Sequence, residues 1–142
     1  MMYCSIADII ADMSEETLRQ ITDDSNSGEP DVSIINDKIL EVSRLIDSYL
    51  AGRYTTPVTA AADILLLRPL AVSLTVCDLH QRRIGLDYSD SLSERRRNAM
   101  KQLEHIQRGI VKLASGSSAT APAYYRTTRR NRVFDDDTLR GY

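Results

Sequence analysis

Two histidines, two cysteines and a run of three aspartates are the residues in this 142-residue chain whose types suit chemistry. Cys77 and His80 stand three apart, a spacing that puts both on one helical face as half of a metal site. Completing that site would fall to Asp78, its chain neighbour, and to the distant Cys4, and neither makes a ligand pattern. His80 and His105 belong to different predicted helices, and neither has an acid or nucleophile arranged around it. Asp135, Asp136 and Asp137 are consecutive, without the alternating spacing and glycine of a calcium loop. That run reads as solvated acid, or as a charge partner for a neighbour's arginines. The six glycines are scattered, so no phosphate-cradling loop is present. The residues therefore point to a protein with no catalytic, metal or cofactor site.

Arg95, Arg96, Arg97, Lys101 and Arg108 make the strongest charge feature, a basic face on one predicted helix. Such a face attracts phosphate without regard to base sequence. It also serves as a solvated surface, a channel lining, or a partner for acids on another subunit. The net charge of −2 and pI near 5.7 differ from those of a dedicated DNA binder, so nonspecific contact is the most that is expected. The charges are split along the chain. Residues 1–50 carry eleven acids against three bases, and residues 93–114 carry six bases against two acids. The halves can pair within one molecule or head to tail between copies.

These side chains need elements to hold them. At 42% hydrophobic and 27% charged, the chain has the composition of one modest globular core. No apolar run approaches the roughly 20 residues that span a bilayer, so no membrane is expected. The opening MMYCSIADII has no basic stretch or cleavage site and does not read as a signal peptide. Cys4 and Cys77 read as reduced thiols, Cys77 in the core.

Ser5-x-x-Asp8 predicts a short helix over 5–12, and Asp12 or Ser14 can cap a second one. The run 22–31 is a loop, after which Asp31 caps a long helix over 32–51. Its stripe is Ile35, Ile39, Val42, Ile46 and Tyr49. Residues 62–84 are apolar on nearly all sides and predict a central helix; Pro69 could kink it or mark its true first turn, and the reading kept is one kinked helix. Gln81, Arg82, Arg83 and Gly85 form its stop signal. A last helix runs from Ser89–Ser93 to about Ala114 on a stripe of Ala99, Leu103, Ile106, Ile110 and Leu113. The fold class is thus all-α, a small bundle of two short N-terminal and three longer helices, with an extended C-terminal arm. The division is a helical domain over 1–114, then a linker and arm over 115–142.

Between the long helix and the central one lies a corner of mixed character. Gly52 is placed to turn left-handed just past the helix end, and Pro57 forbids continuation. Arg53 and Tyr54 are read first as packing residues, the arginine capping carbonyls or pairing with an acid such as Asp47. The arm mixes five arginines with three tyrosines, Val133, Phe134 and Leu139, a composition that orders on a partner.

The block Ile46-Asp47-x-Tyr49-Leu50-x-Gly52-Arg53-Tyr54-x-x-Pro57 resembles the Mu-like family of small head–tail connector proteins of tailed phages and prophages. The match runs nearly end to end. It takes in Met2-Tyr3 with the Ser-x-x-Asp start, the Leu-rich helix, the basic helix reaching Gly109 and Leu113, and the closing RVFDDDTLRGY. The resemblance implies a structural protein made in the bacterial cytoplasm and built into the virion head–tail junction. There it would form a homo-oligomeric ring on the portal protein and present a platform to stopper or tail-completion proteins. Asp47, Tyr49, Gly52, Arg53, Tyr54 and Pro57 are its expected fold-determining corner. Tyr124, Tyr125, Arg129, Arg130, Phe134 and Leu139 are expected to bind the portal or the adjoining subunit. A small helical DNA-associated or regulatory protein using the 95–112 face is the alternative.

Overall fold

Helices start in this chain where an oxygen can accept the amide protons that a first turn leaves without partners. The computed structural model describes residues 1–82 and 89–115, and these contain five α-helices and no strand. Ser5 and Asp8 form a reciprocal capping box for α1 (Ile6–Asp12). Ser14, rather than Asp12, caps α2 (Glu15–Thr22). Asp31 accepts from Ser33 and Ile34 to open α3 (Val32–Leu50), and Ser89 opens α5 (Asp90–Arg108). The start of α4 (Ala61–Arg82) hangs on a backbone oxygen, the Ala60 carbonyl, which accepts from Asp63 and Ile64.

The core follows the apolar spacing. Ile35, Ile39, Val42 and Ile46 of α3 are all buried, and α4 packs against each of the other four helices. Cys77 is wholly buried there, as expected of a small core residue.

Four expectations need correction. The α3 stripe closes on Leu50, wholly buried one turn after Ile46, while Tyr49 is half-buried and packs against the edge of the core. Gly52 is not left-handed. Both Arg53 and Tyr54 donate to the Leu50 carbonyl, so the last turn tightens and needs no positive φ. As expected, α4 runs through Pro69 as one helix, from Ala61 to Arg82. The carbonyl that Pro69 leaves unpaired belongs to Leu65, whose side chain is 65% exposed, so water can take the missing bond. The first turns of α4 are therefore not apolar inside the core: Leu65 and Leu66 face outward. Finally, α5 stops at Arg108 rather than near Ala114. Gly109 adopts φ +76, its amide donates to Ile106 and that of Ile110 to His105, the paired bonds of a Schellman ending. Ile110 is consequently exposed, and Leu113 reaches the core from beyond the helix. Arg83 and Gly85 of the expected α4 stop signal lie outside the described residues.

Candidate functional site

Five segments, drawn from three parts of the chain distant in sequence, meet at one end of the bundle. They are the N-terminal Tyr3, the end of α3, the 53–58 corner, the start of α4 and the turn after α5. Each is held by a polar group on a largely buried side chain. The backbone amide of Tyr3 donates to Ser43 Oγ at 3.2 Å, fixing the N-terminus along α3. Its hydroxyl donates to the Asp47 carboxylate and accepts from the Val58 amide at 2.9 Å. Burial, with the Asp47 bond, pushes the Tyr3 phenol up to about 12, so it stays a donor at any physiological pH. Asp47 thus pairs with Tyr3 rather than with Arg53. The Thr56–Pro57 peptide is cis, and Val58 beyond it is buried in the core.

Two links then tie this corner to the turn after α5. Tyr54 is buried, and its hydroxyl accepts from the Leu113 amide at 3.2 Å. The Arg53 guanidinium lies over Gly109, where any Cβ would collide with it, and its buried Nε has no hydrogen-bond partner among the described residues. Arg53 therefore packs on the α5 ending, whose left-handed glycine gives it room. Gly52, by contrast, has open space where a Cβ would stand.

Asp63, wholly buried in the first turn of α4, makes the third link. Its carboxylate accepts from the amides of Ala114 at 2.6 Å and Ser115 at 2.8 Å, and from the Ser115 hydroxyl. Burial alone would raise this carboxyl, but the bonds from Ser115 and Ala114 outweigh it and hold it below the usual carboxylate range. Ser115, read from the sequence as linker, is thus bonded into the bundle. Sequence reasoning missed Asp63. An acid opening an apolar helix is ordinary helix chemistry, and nothing local shows that its partners lie 51 and 52 residues on.

The basic residues do not act as one face. Arg95 makes a two-pronged bond to Asp12, both contacts 2.8 Å, and a third to Ser73 at 3.1 Å. Arg96 pairs with Asp78. Arg97, Lys101 and Arg108 are exposed, Arg108 loosely beside Glu104 at 3.8 Å. Arg82 joins Asp24 and the Ile21 carbonyl, and Arg68 approaches Asp8 at 3.9 Å. Acids of the N-terminal half thus meet bases of the other half inside one molecule.

Cys77 donates to the Leu92 carbonyl at 3.4 Å, and burial lowers the neighbouring His80 imidazole. Burial raises the Cys4 thiol, which makes it a poor nucleophile. Among the described residues no three metal-ligating side chains converge, and no helix is long and apolar enough to cross a membrane. Tyr124, Tyr125, Arg129, Arg130, Phe134 and Leu139 lie outside the described residues, as do Asp135, Asp136 and Asp137.

A protein-family model described as Bacteriophage Mu, Gp36 matches residues 3–130, which takes in the whole described bundle and part of the arm. The chain belongs to that family and is a Mu-like phage protein. No curated protein matches it.

Proposed function

We propose that this member of the Mu Gp36 family is a structural virion protein, a head–tail connector that assembles as a ring on the portal vertex. It links the capsid to stopper or tail-completion proteins and carries out no catalysis. The observation that supports this most is the way the bundle presents its C-terminal segment. Asp63 ties Ala114 and Ser115 to the start of α4, so the remaining 27 residues leave from a fixed point. Within a few residues of these ties along the chain, Leu65, Leu66, Ile110 and Val111 are exposed at 65%, 52%, 66% and 42%, apolar side chains suited to a partner. An arm rich in arginine and aromatics beside such a surface has the composition of interface anchors.

The test compares the full chain with a chain ending at Ser115, for incorporation into phage particles and for capture by a purified portal ring. The shortened chain should keep its helical signal and its melting while losing both. Loss of folding on that truncation would sink the arm's proposed role. Capture of neither chain by the portal ring, with salt-dependent retention of the full chain on duplex DNA, would favour the DNA-associated alternative. Retention on DNA would then have to vanish on Arg95, Arg96 and Arg97→Glu.

A further inference from the structure

We propose that the groove between α1, α2 and the start of α3 is the seat of residues 124–134 of a neighbouring copy of this chain. The inference rests on the ring reading above and names the contact that would join adjacent subunits. The groove holds about 780 Å³, room for several side chains. Ile10 and Val32 line it at 37% and 54% exposure, over the buried Ile35. Glu15, Glu16 and Glu29 surround it, with Arg19 already engaged by Glu16. An apolar floor under an acidic rim calls for an occupant that is both apolar and basic.

The chain contains one such segment. Residues 124–134, YYRTTRRNRVF, carry four arginines and no acid among two tyrosines, a valine and a phenylalanine. Arginines can meet the rim glutamates while Tyr124, Tyr125, Val133 or Phe134 covers Ile10 and Val32. On the rim Glu16 is held by Arg19, as Asp12 and Asp24 elsewhere are held by Arg95 and Arg82, which leaves Glu15 and Glu29 to meet the arm's arginines.

The ring reading selects a neighbour's segment over the chain's own, and position agrees with it at the start of the segment. The groove lies at the N-terminal end of α3, whereas Ser115 is held near its C-terminal end through the 53–63 corner. Nineteen residues of α3 separate these ends by about 27 Å. Tyr124 is nine residues beyond Ser115, a reach of about 30 Å only when fully extended. Tyr124 would spend nearly all of that reach on its own groove, whereas Phe134, nineteen residues beyond Ser115, has reach to spare, so seating within one molecule is the outcome the experiment must separate. A copy stacked head to tail presents its segment directly, and repetition of that contact generates a ring or an open helix.

The experiment places a photo-reactive benzoylphenylalanine at Phe134 of the full chain. An equal mixture of ordinary and nitrogen-15 protein is irradiated, alone and on a portal ring, and adducts are mapped by mass spectrometry. Light–heavy adducts at Ile10 or Val32 are expected. E15K with E29K should lower their yield roughly tenfold, since rim attraction turns to repulsion. R129E with R130E on the arm should restore it, which separates contact from misfolding. Adducts outside the groove, adducts only within one molecule, or no adducts at all overturn the proposal. Imaging the same samples keeps the two readings apart. Closed rings with adducts elsewhere remove the groove and spare the ring. Groove adducts between chains that never close into rings support the groove and remove the ring.

Discussion

Replacing Gly109 with alanine strains the molecule twice, and the two contributions can be measured apart. At φ +76 a residue with a Cβ sits in the left-handed region, at a cost of about 1 kcal/mol. The new Cβ would also stand inside the Arg53 guanidinium. That guanidinium is the end of a flexible side chain, but its buried Nε shows it is packed in place. Displacing it should add about 1–2 kcal/mol, in the range of overpacking in a dense interior. Gly109→Ala should therefore cost about 2–3 kcal/mol in the natural background. In an Arg53→Ala background it should cost only the backbone part, about 1 kcal/mol. Urea unfolding followed by circular dichroism, run on the four proteins of this cycle, reads the coupling directly. Equal costs of Gly109→Ala in both backgrounds would show that Arg53 does not press on the α5 ending and refute the corner as drawn.

Two further outcomes follow from the polar links. Asp63 has a folded-state pKa below its unfolded one, so its carboxylate adds stability above about pH 4, the unfolded value, and loses it as pH falls through the folded value. Asp63→Asn should lower stability at pH 7 by about 1–2 kcal/mol and flatten the acid limb of a stability–pH curve below pH 4, checked by urea titration across pH. Among the arginines, Arg95→Ala should cost about 1–2 kcal/mol, because it abandons Asp12 and Ser73 across the bundle, whereas Arg97→Ala should stay within about 0.5 kcal/mol. Similar melting shifts for the two would mean the Arg95–Asp12 pair is no stronger than a solvated charge.

The sequence by itself determined the helices, because their causes are local. Ser5, Ser14, Asp31 and Ser89 cap the turns that follow them, and the α3 stripe of Ile35, Ile39, Val42 and Ile46 needs only 3.6-residue geometry to become a buried face. The block from Asp47 to Pro57 was legible as a corner for the same reason. What it does was not. Gly52 and Gly109 are both glycines near helix ends, and composition cannot say which one turns left-handed. That was decided by the Leu50 carbonyl taking two amides at the first end and by a Schellman pair, with Arg53 overhead, at the second. The basic helix shows the same limit. Arg95, Arg96 and Arg97 are adjacent and chemically alike, yet packing of α5 against α3 and α4 turns the first two onto Asp12 and Asp78 and leaves the third outside. Asp63 and Tyr3 stayed hidden because their partners are 51 and 44 residues away. Periodicity and capping act over one or two turns, whereas a hydrogen bond across a bundle exists only once burial has brought its two ends together.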